Sequence, residues 1–536
     1  MEEMDQVLLV LATKMGDILQ YIGGPEYSHL LVPAFECLCG TEETVVRSAA
    51  ANSICKILAS LNGNTHKTSV QAYLSLFKRL SNEDAGEIFY SRVSACQFVH
   101  ELYRVLTDPG DKAVIREIYA TLSRDEMIMV RRAAVLALTK LAAYVDPEIQ
   151  SGEFLQLLKA MAADEHQTVR VQAIKNCIPY SGLLFNINAA STVGNEIVPI
   201  IRGATDDSSW KIRHAISKNY GSLAAYFPPE VVTAELLPGI VNLLQDSESD
   251  VRILALTNAY PFFTVCGADL FLNEVSGIVQ QLADDTVTMV RKNLAELCVD
   301  MAAHTTNEST ALSAIVEIIC RMLADEDALV RLRVIKKLPL IAELVPALCT
   351  RITPSLKVMF GESNWRVRKE LVLAMPAIVK FMGTEYFIEH FLQEYLTRFK
   401  DGVNEVRYAA AQSLPDMLDS SGPPWVYDQV FPTVRSMGTE EFLLRLSMLD
   451  SLRALLERDL PDRFRAEVLA LLATGSADTV PNIRLRAAQV LGLIGHRVGQ
   501  DVFAQQLKPT LTELLEDRDK DVKYFVGEAL AKNKIM

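Results

Sequence analysis

The chain is predicted to be an all-α solenoid of stacked antiparallel helix pairs, and three observations predict it. First, a Val, Ile or Leu followed by a basic residue recurs in one frame, at Arg47, Arg92, Arg131, Arg170, Arg213, Arg252, Arg291, Arg331, Arg368, Arg407, Arg445, Arg484 and Lys523. Only Ser91, before Arg92, breaks the apolar half of that frame, and the successive spacings are 45, 39, 39, 43, 39, 39, 40, 37, 39, 38, 39 and 39. Second, each period repeats one grammar, as in the apolar run Leu237–Leu244, the acidic turn Gln245–Asp250 and the apolar run that opens with Val251-Arg252. Third, half of the 536 residues are hydrophobic and 22% are charged, with no Pro- or Gly-rich linker and no low-complexity segment between periods.

A period near 40 residues is that of HEAT or armadillo arrays, so the fold expected is a HEAT-repeat solenoid, a right-handed superhelix of about thirteen full repeats plus an N-terminal half repeat. Val7 to Ile22 resembles a second helix, with Leu8 where the basic residue would fall, and lacks a first helix to cap its apolar face. Pro33, Pro199, Pro238, Pro354, Pro432 and Pro509 stand near the starts of apolar runs, where a missing N–H costs least. The turn acids fall at the amino end of each second helix, where free N–H groups and the helix dipole favour them. Within that helix, Val130, Ala134, Ala137, Leu138 and Leu141 form one stripe at helical spacing. The two long periods place their surplus in Leu61–Lys67 and Ile187–Gly194, expected to be loops. Residues 1–536 are thus read as one continuous domain, with 1–22 as the partial repeat.

Composition excludes several classes. With 67 acidic against 53 basic residues the net charge is −14, which disfavours a nucleic-acid partner or an anionic membrane. Nine cysteines without paired spacing, mostly inside apolar runs, read as core residues of a protein in a reducing compartment. The acidic start Met1–Asp5 is unlike a signal peptide, and no run of 18 apolar residues occurs, so the cytoplasm is expected, with the nucleus as a second compartment. No phosphate loop, HExxH, GxSxG or paired CxxC is present, and the eight histidines, His496 among them, are scattered singly. Acid pairs such as Glu42-Glu43, Asp206-Asp207 and Asp284-Asp285 recur at the turn and read as caps. No catalytic residue, cofactor site or metal site is expected, and the sequon Asn307-Glu308-Ser309 carries little weight in a cytosolic chain.

The recurring Arg is read as structural, its fork bonding a carboxylate or carbonyl of its own or the next hairpin and so fixing the stacking register. Arg131-Arg132 and Arg366-x-Arg368, where a second base stands alongside, are candidates to face a ligand. Of three tryptophans, Trp210 and Trp365 share a place three residues before the framework Arg. At an exposed turn tip Trp365 is read as a contact for a partner ahead of a cap on its own hairpin, and Trp210 as either. Trp425, beyond a helix end, is read as packing.

Beyond the period, specific text carries a resemblance. Gly23-Gly24-Pro25-Glu26-Tyr27, Glu42-Glu43-Thr44-Val45-Val46-Arg47, Ser91-Arg92-x-Ser94-Ala95-Cys96, Met129–Ala134, Trp365–Arg368 and Asp521–Phe525 resemble, in colinear order from about Val7 to the end, the scaffold (A, 65 kDa regulatory) subunits of protein phosphatase 2A. That family has fifteen HEAT repeats, so the thirteen here resemble its third to fifteenth. The resemblance implies a non-catalytic scaffold, a hetero-dimer or hetero-trimer that holds a serine/threonine phosphatase catalytic subunit on its last five repeats (about 341–536) and a variable B-type regulatory subunit on earlier ones (about 23–340). Carried over by position, the catalytic-subunit contacts are Trp365, Arg366, Phe442, Leu443, Val480, Asn482, Lys520 and Asp521. The regulatory-subunit contacts are Glu42, Glu43, Phe89, Met129, Arg131, Arg132, Ser209, Trp210 and Lys211. The chain departs from the family at Ile88 and Ile128, where Trp and Pro are expected, and at Asn404, which replaces a turn aromatic. The alternative is a HEAT-repeat transport receptor or other adaptor for peptide cargo, which needs a regular Asn and Trp ladder; two turn tryptophans do not make one.

Overall fold

A computed structural model of the chain describes residues 3–82, 89–305, 310–495 and 503–533. Ile88, the sequon Asn307–Ser309 and His496 lie outside the described residues. The chain forms two compact units, Met1–Cys266 and Gly267–Met536. All regular structure among the described residues is helical, in antiparallel pairs that follow the period of the sequence.

In the first unit the helix Glu3–Lys14 packs as a lone second helix on Thr44–Ser60, and the Ser53 hydroxyl donates to the Ala12 carbonyl at 2.6 Å. Val7, Val10 and Leu11 on this helix are exposed. The pair Pro109–Leu122 and Ile128–Ala142 shows how local chemistry sets an element. Asp108 caps the first helix by accepting the Asp111 N–H at 2.9 Å, and Pro109 occupies the opening turn, where no N–H is needed. In the second helix Val130, Ala134, Ala137, Leu138 and Leu141 are all buried, the stripe the spacing predicts.

Two expectations about proline and loops are corrected. Pro354 lies inside Pro346–Met359 rather than near its start, and Pro179, Pro261 and Pro376 also stand inside helices. Pro199, Pro238 and Pro509 follow short π-helical turns, Val193–Ile197, Val232–Leu236 and Phe503–Leu507, so these first helices change winding where the ring removes a backbone donor. Of the predicted loop Ile187–Gly194, helix resumes at Ala190; Asn188, at φ 59°, turns the chain. Leu61–His66 does form a connection, before the helix Lys67–Leu80.

Cys39, Cys96, Cys177, Cys298 and Cys349 are buried, and burial pushes the thiols of Cys96, Cys177 and Cys298 up to about 12. They are unreactive packing groups. Trp425 packs edge-on to Phe387 at 6.0 Å. Among the described residues no helix is long and apolar enough to cross a membrane.

Candidate interaction surface at the turns

The turn between the two helices of a pair is built from two residues six apart, an acid and the framework Arg. In the first unit Arg92 forks onto Asp125, Arg131 onto Asp164 and Arg213 onto Asp246, with Nε at 2.7, 2.8 and 2.5 Å from the carboxylate; Arg170 reaches Asp207 at 3.6 Å. In the second unit Arg291 pairs with Asp325, Arg368 with Asp401, Arg445 with Asp478 and Arg484 with Asp517, while Arg331 reaches Glu362. The acid six positions before an Arg therefore belongs to the Arg of the preceding pair. What that Arg takes from its own turn is a carbonyl: Nη1 of Arg131, Arg213, Arg291 and Arg484 donates to the oxygens of Asp125, Asp207, Asp285 and Asp478. The same carboxylates each accept the N–H two residues on, as Asp164 does from His166 at 2.8 Å and Asp478 from Val480 at 2.8 Å.

Burial alone would push the carboxyls of Asp246 and Asp401 up. The partner Arg and a backbone N–H outweigh it and hold both below the usual carboxylate range. At Asp517 the Arg484 fork dominates and lowers the group to about 2. Most framework Arg and Asp side chains are thus engaged with one another. Arg131, candidate for a ligand, is drawn into this framework, with Asp164, Glu165 and the Asp125 carbonyl as acceptors.

Turn residues outside the framework face outward. In the second unit Phe442 and Leu443 are 41% and 43% exposed at the start of Phe442–Leu455, and Asn482, Lys520 and Asp521 are exposed; Val480 is half-buried. Trp365 is half-buried rather than free-standing. The Arg366 guanidinium lies over its ring at 4.6 Å, the Lys369 ammonium at 5.9 Å, and Asn364 caps the helix by accepting the Arg366 N–H at 3.0 Å. Asn404 turns its side-chain oxygen to Arg407 at 3.1 Å, so the place of the missing aromatic is given to the framework.

In the first unit Glu42 and Glu43 are exposed, Phe89 is half-buried against Tyr90 with ring centres 4.4 Å apart, and Met129 is 47% exposed. Trp210 is 42% exposed, its edge against His214, with Lys211 exposed beside it. Ser209 closes the turn by donating its N–H to Asp207 at 2.8 Å and its hydroxyl to Gln167 at 3.1 Å. The half-buried Arg132 has an Nε–H buried without an acceptor.

Sequence reasoning passed over Val45, Met289 and Leu329, all exposed apolar residues. Each stands two positions before a framework Arg, as do Met129, Leu443 and Arg366, so the register alone marks them. Among the described residues no group of three or more His, Cys, Asp or Glu is placed to hold a metal ion.

No family model matches the chain. Among curated proteins it is 30% identical over 234 residues to the protein phosphatase PP2A regulatory (A-type) subunit of Schizosaccharomyces pombe, covering 44% of this chain and 38% of that one. It is 40% identical over 151 residues to the alpha isoform of the 65 kDa regulatory (A-type) subunit of serine/threonine-protein phosphatase 2A from Arabidopsis thaliana (28% of this chain, 24% of that one). Over 345 residues it is 28% identical to the human beta isoform of the same subunit, covering 63% of this chain and 55% of the relative. The matched stretches thus span between about a quarter and just over half of these relatives' length. Among solved structures a Kap121p mutant superposes with a TM-score of 0.66 at 13% identity, over 98% of this chain and 56% of that one, a likeness of fold alone. The chain is an all-α HEAT-repeat protein whose sequence relatives are the A-type regulatory, or scaffold, subunits of protein phosphatase 2A.

Proposed function

We propose that the chain is a non-catalytic scaffold for a protein phosphatase 2A-like holoenzyme. In this reading its C-terminal repeat turns hold the catalytic subunit through Trp365, Arg366, Phe442, Leu443, Val480, Asn482, Lys520 and Asp521. Its N-terminal turns hold a B-type regulatory subunit through Glu42, Glu43, Phe89, Met129, Arg132, Ser209, Trp210 and Lys211, with Arg131 fixing the turn behind them. The two parts are about 23–340 and 341–536 of one continuous array, and the assembly is a hetero-dimer or trimer in the cytoplasm, with the nucleus as a second compartment.

One observation carries the reading. Framework Arg and Asp side chains commit their hydrogen bonds to stacking, while neighbouring turn residues such as Phe442, Leu443, Met129 and Trp210 stand exposed. Aromatic, Met and Arg side chains on rigid turns are the composition of interface anchors. Immobilised chain is expected to retain a purified serine/threonine phosphatase catalytic subunit, with an interface of about 2,000 Å² in total. Absence of retention at micromolar concentration removes the reading.

A further inference from the structure

A groove of about 490 Å³ crosses three consecutive second helices of the first unit, Thr44–Ser60, Tyr90–Val105 and Ile128–Ala142. Its floor is apolar, with Val93, Cys96, Ala133 and Ala137. On Ile128–Ala142, Arg132, Leu136 and Lys140 stand at i, i+4 and i+8, one stripe of a helix. Leu136 is 51% exposed between the two cations.

In the second unit some cations of second helices meet an acid on a neighbouring one, as Lys369 meets Glu405 at 3.0 Å and Arg486 meets Asp450. Arg132 and Lys140 have no carboxylate partner among the described residues, and no acid lines the groove. Two unanswered cations around an apolar floor, in a chain of net charge −14, make a local surface complementary to acids.

We propose that this groove docks a segment of a partner protein that inserts a large apolar side chain between carboxylates, which accept from Arg132 and Lys140. The polar rim of Thr44, Ser48 and Asn52 offers further hydrogen bonds to its backbone. Met129 and Arg132 also belong to the regulatory-subunit surface proposed above. The groove itself does not depend on that reading, because its test contains no phosphatase subunit.

The test is fluorescence anisotropy of the full chain with three labelled synthetic peptides. One has Leu and Phe flanked by Glu on both sides, the second replaces each Glu by Lys, and the third replaces Leu and Phe by Ser. The acidic apolar peptide is expected to bind, and the other two at least about tenfold more weakly, since both charge and apolar burial contribute. The double variant Arg132→Glu, Lys140→Glu is expected to weaken binding about tenfold or more, and Lys67→Glu, Lys78→Glu, with the same change in net charge, less than about twofold. Circular dichroism and melting of both variants establish that they fold. Leu136→Ser, which keeps the charge, is expected to weaken binding too. Equal binding of the Ser peptide, equal loss in the two charge variants, or no binding at all overturns the proposal. So does displacement of the probe by anionic phospholipid vesicles or single-stranded RNA at lower concentration than by unlabelled peptide.

Discussion

Arg368 grips Asp401 with both arms of its fork, Nε at 2.9 Å and Nη2 at 2.8 Å, while its Nη1 donates to the Glu362 carbonyl at 2.5 Å in its own turn. Asp401 in turn accepts the Val403 N–H at 2.9 Å, which shapes the turn it belongs to. One side chain thus ties two consecutive turns, and the carboxylate that receives it also closes the next. Stacking register and turn geometry are set by the same group.

Arg368→Ala is expected to destabilise the protein by about 1.5–3 kcal/mol, because Asp401 loses the two-armed fork but keeps Arg398 at 2.8 Å and the Val403 N–H. The Asp401 side chain is only 2% exposed, so water does not replace the lost partner. Arg368→Met with Asp401→Asn, which removes the buried charge and keeps an acceptor for the Val403 N–H, is expected to cost less than the single change. Urea unfolding monitored by circular dichroism separates the two, and a single variant no weaker than the double one would remove the account.

The depressed carboxyls give a pH dependence with a definite sign. Asp246, Asp401 and Asp517 are held below their ordinary value in the folded chain, Asp517 at about 2. Their contribution is complete above the unfolded carboxylate range, near pH 4, and is lost as the pH falls through the folded values toward about 2. Melting temperature is expected to drop across that window, with a shallower slope in Asp517→Asn. An identical slope in that variant would contradict the assignment.

Among the described residues of the second unit the ladder breaks at Arg407. Arg407, 4% exposed, finds no carboxylate in the next turn; its Nε donates to the Ser447 hydroxyl at 2.9 Å and its Nη1 to the Asp401 carbonyl at 2.8 Å. The cause is visible in the sequence, where Thr439 occupies the place six before Arg445 that Asp holds in the neighbouring turns. Thr439→Asp is expected to stabilise by about 1.5 kcal/mol, the scale of a hydrogen bond to a charged group. Ser447→Ala is expected to destabilise by a similar amount. No gain in the first variant together with no loss in the second would show that Arg407 needs no acceptor there.

Helix pairs and the framework were legible in the sequence because a strict register leaves a trace at every period. The buried stripe of Val130, Ala134, Leu138 and Leu141 and the Arg forks both follow from it. The winding changes at Val193–Ile197 and Val232–Leu236 were not, since a helix that starts as a π turn has the same apolar pattern as one that does not. Nor was the cover over Trp365, which depends on where Arg366 and Lys369 direct their long side chains. The groove at Arg132 and Lys140 joins residues from Thr44 to Lys140, and only stacking brings three such distant helices together.

Helix crossing distance is set by a small residue near the end of the second unit. A Cβ on Gly492 would lie 2.5 Å from the Ala529 Cβ and 2.9 Å from its Cα, so Pro481–Ile494 and Lys520–Asn533 touch at backbone distance. Gly492→Ala is expected to cost about 1–3 kcal/mol through overpacking, against the gain in helix propensity that an exposed Gly→Ala change gives. A melting temperature equal to or above that of the parent would show that the last pair yields without strain.

Trp365 and Trp210 occupy the same register in different surroundings, and the proposed function gives them different partners. Trp365 is held in place by the Arg366 cation at 4.6 Å, so its ring is presented in a fixed pose. Trp365→Ala is expected to weaken binding of a purified phosphatase catalytic subunit by about 2 kcal/mol or more, as loss of an aromatic anchor does. Arg366→Ala is expected to cost less, about 0.5–1 kcal/mol, if its main part is to hold the ring. Trp210→Ala is expected to leave that affinity unchanged and to weaken only a regulatory subunit. Biolayer interferometry with each subunit separately reads all three; equal loss of the catalytic subunit in Trp210→Ala and Trp365→Ala would mean that the turns do not divide the partners.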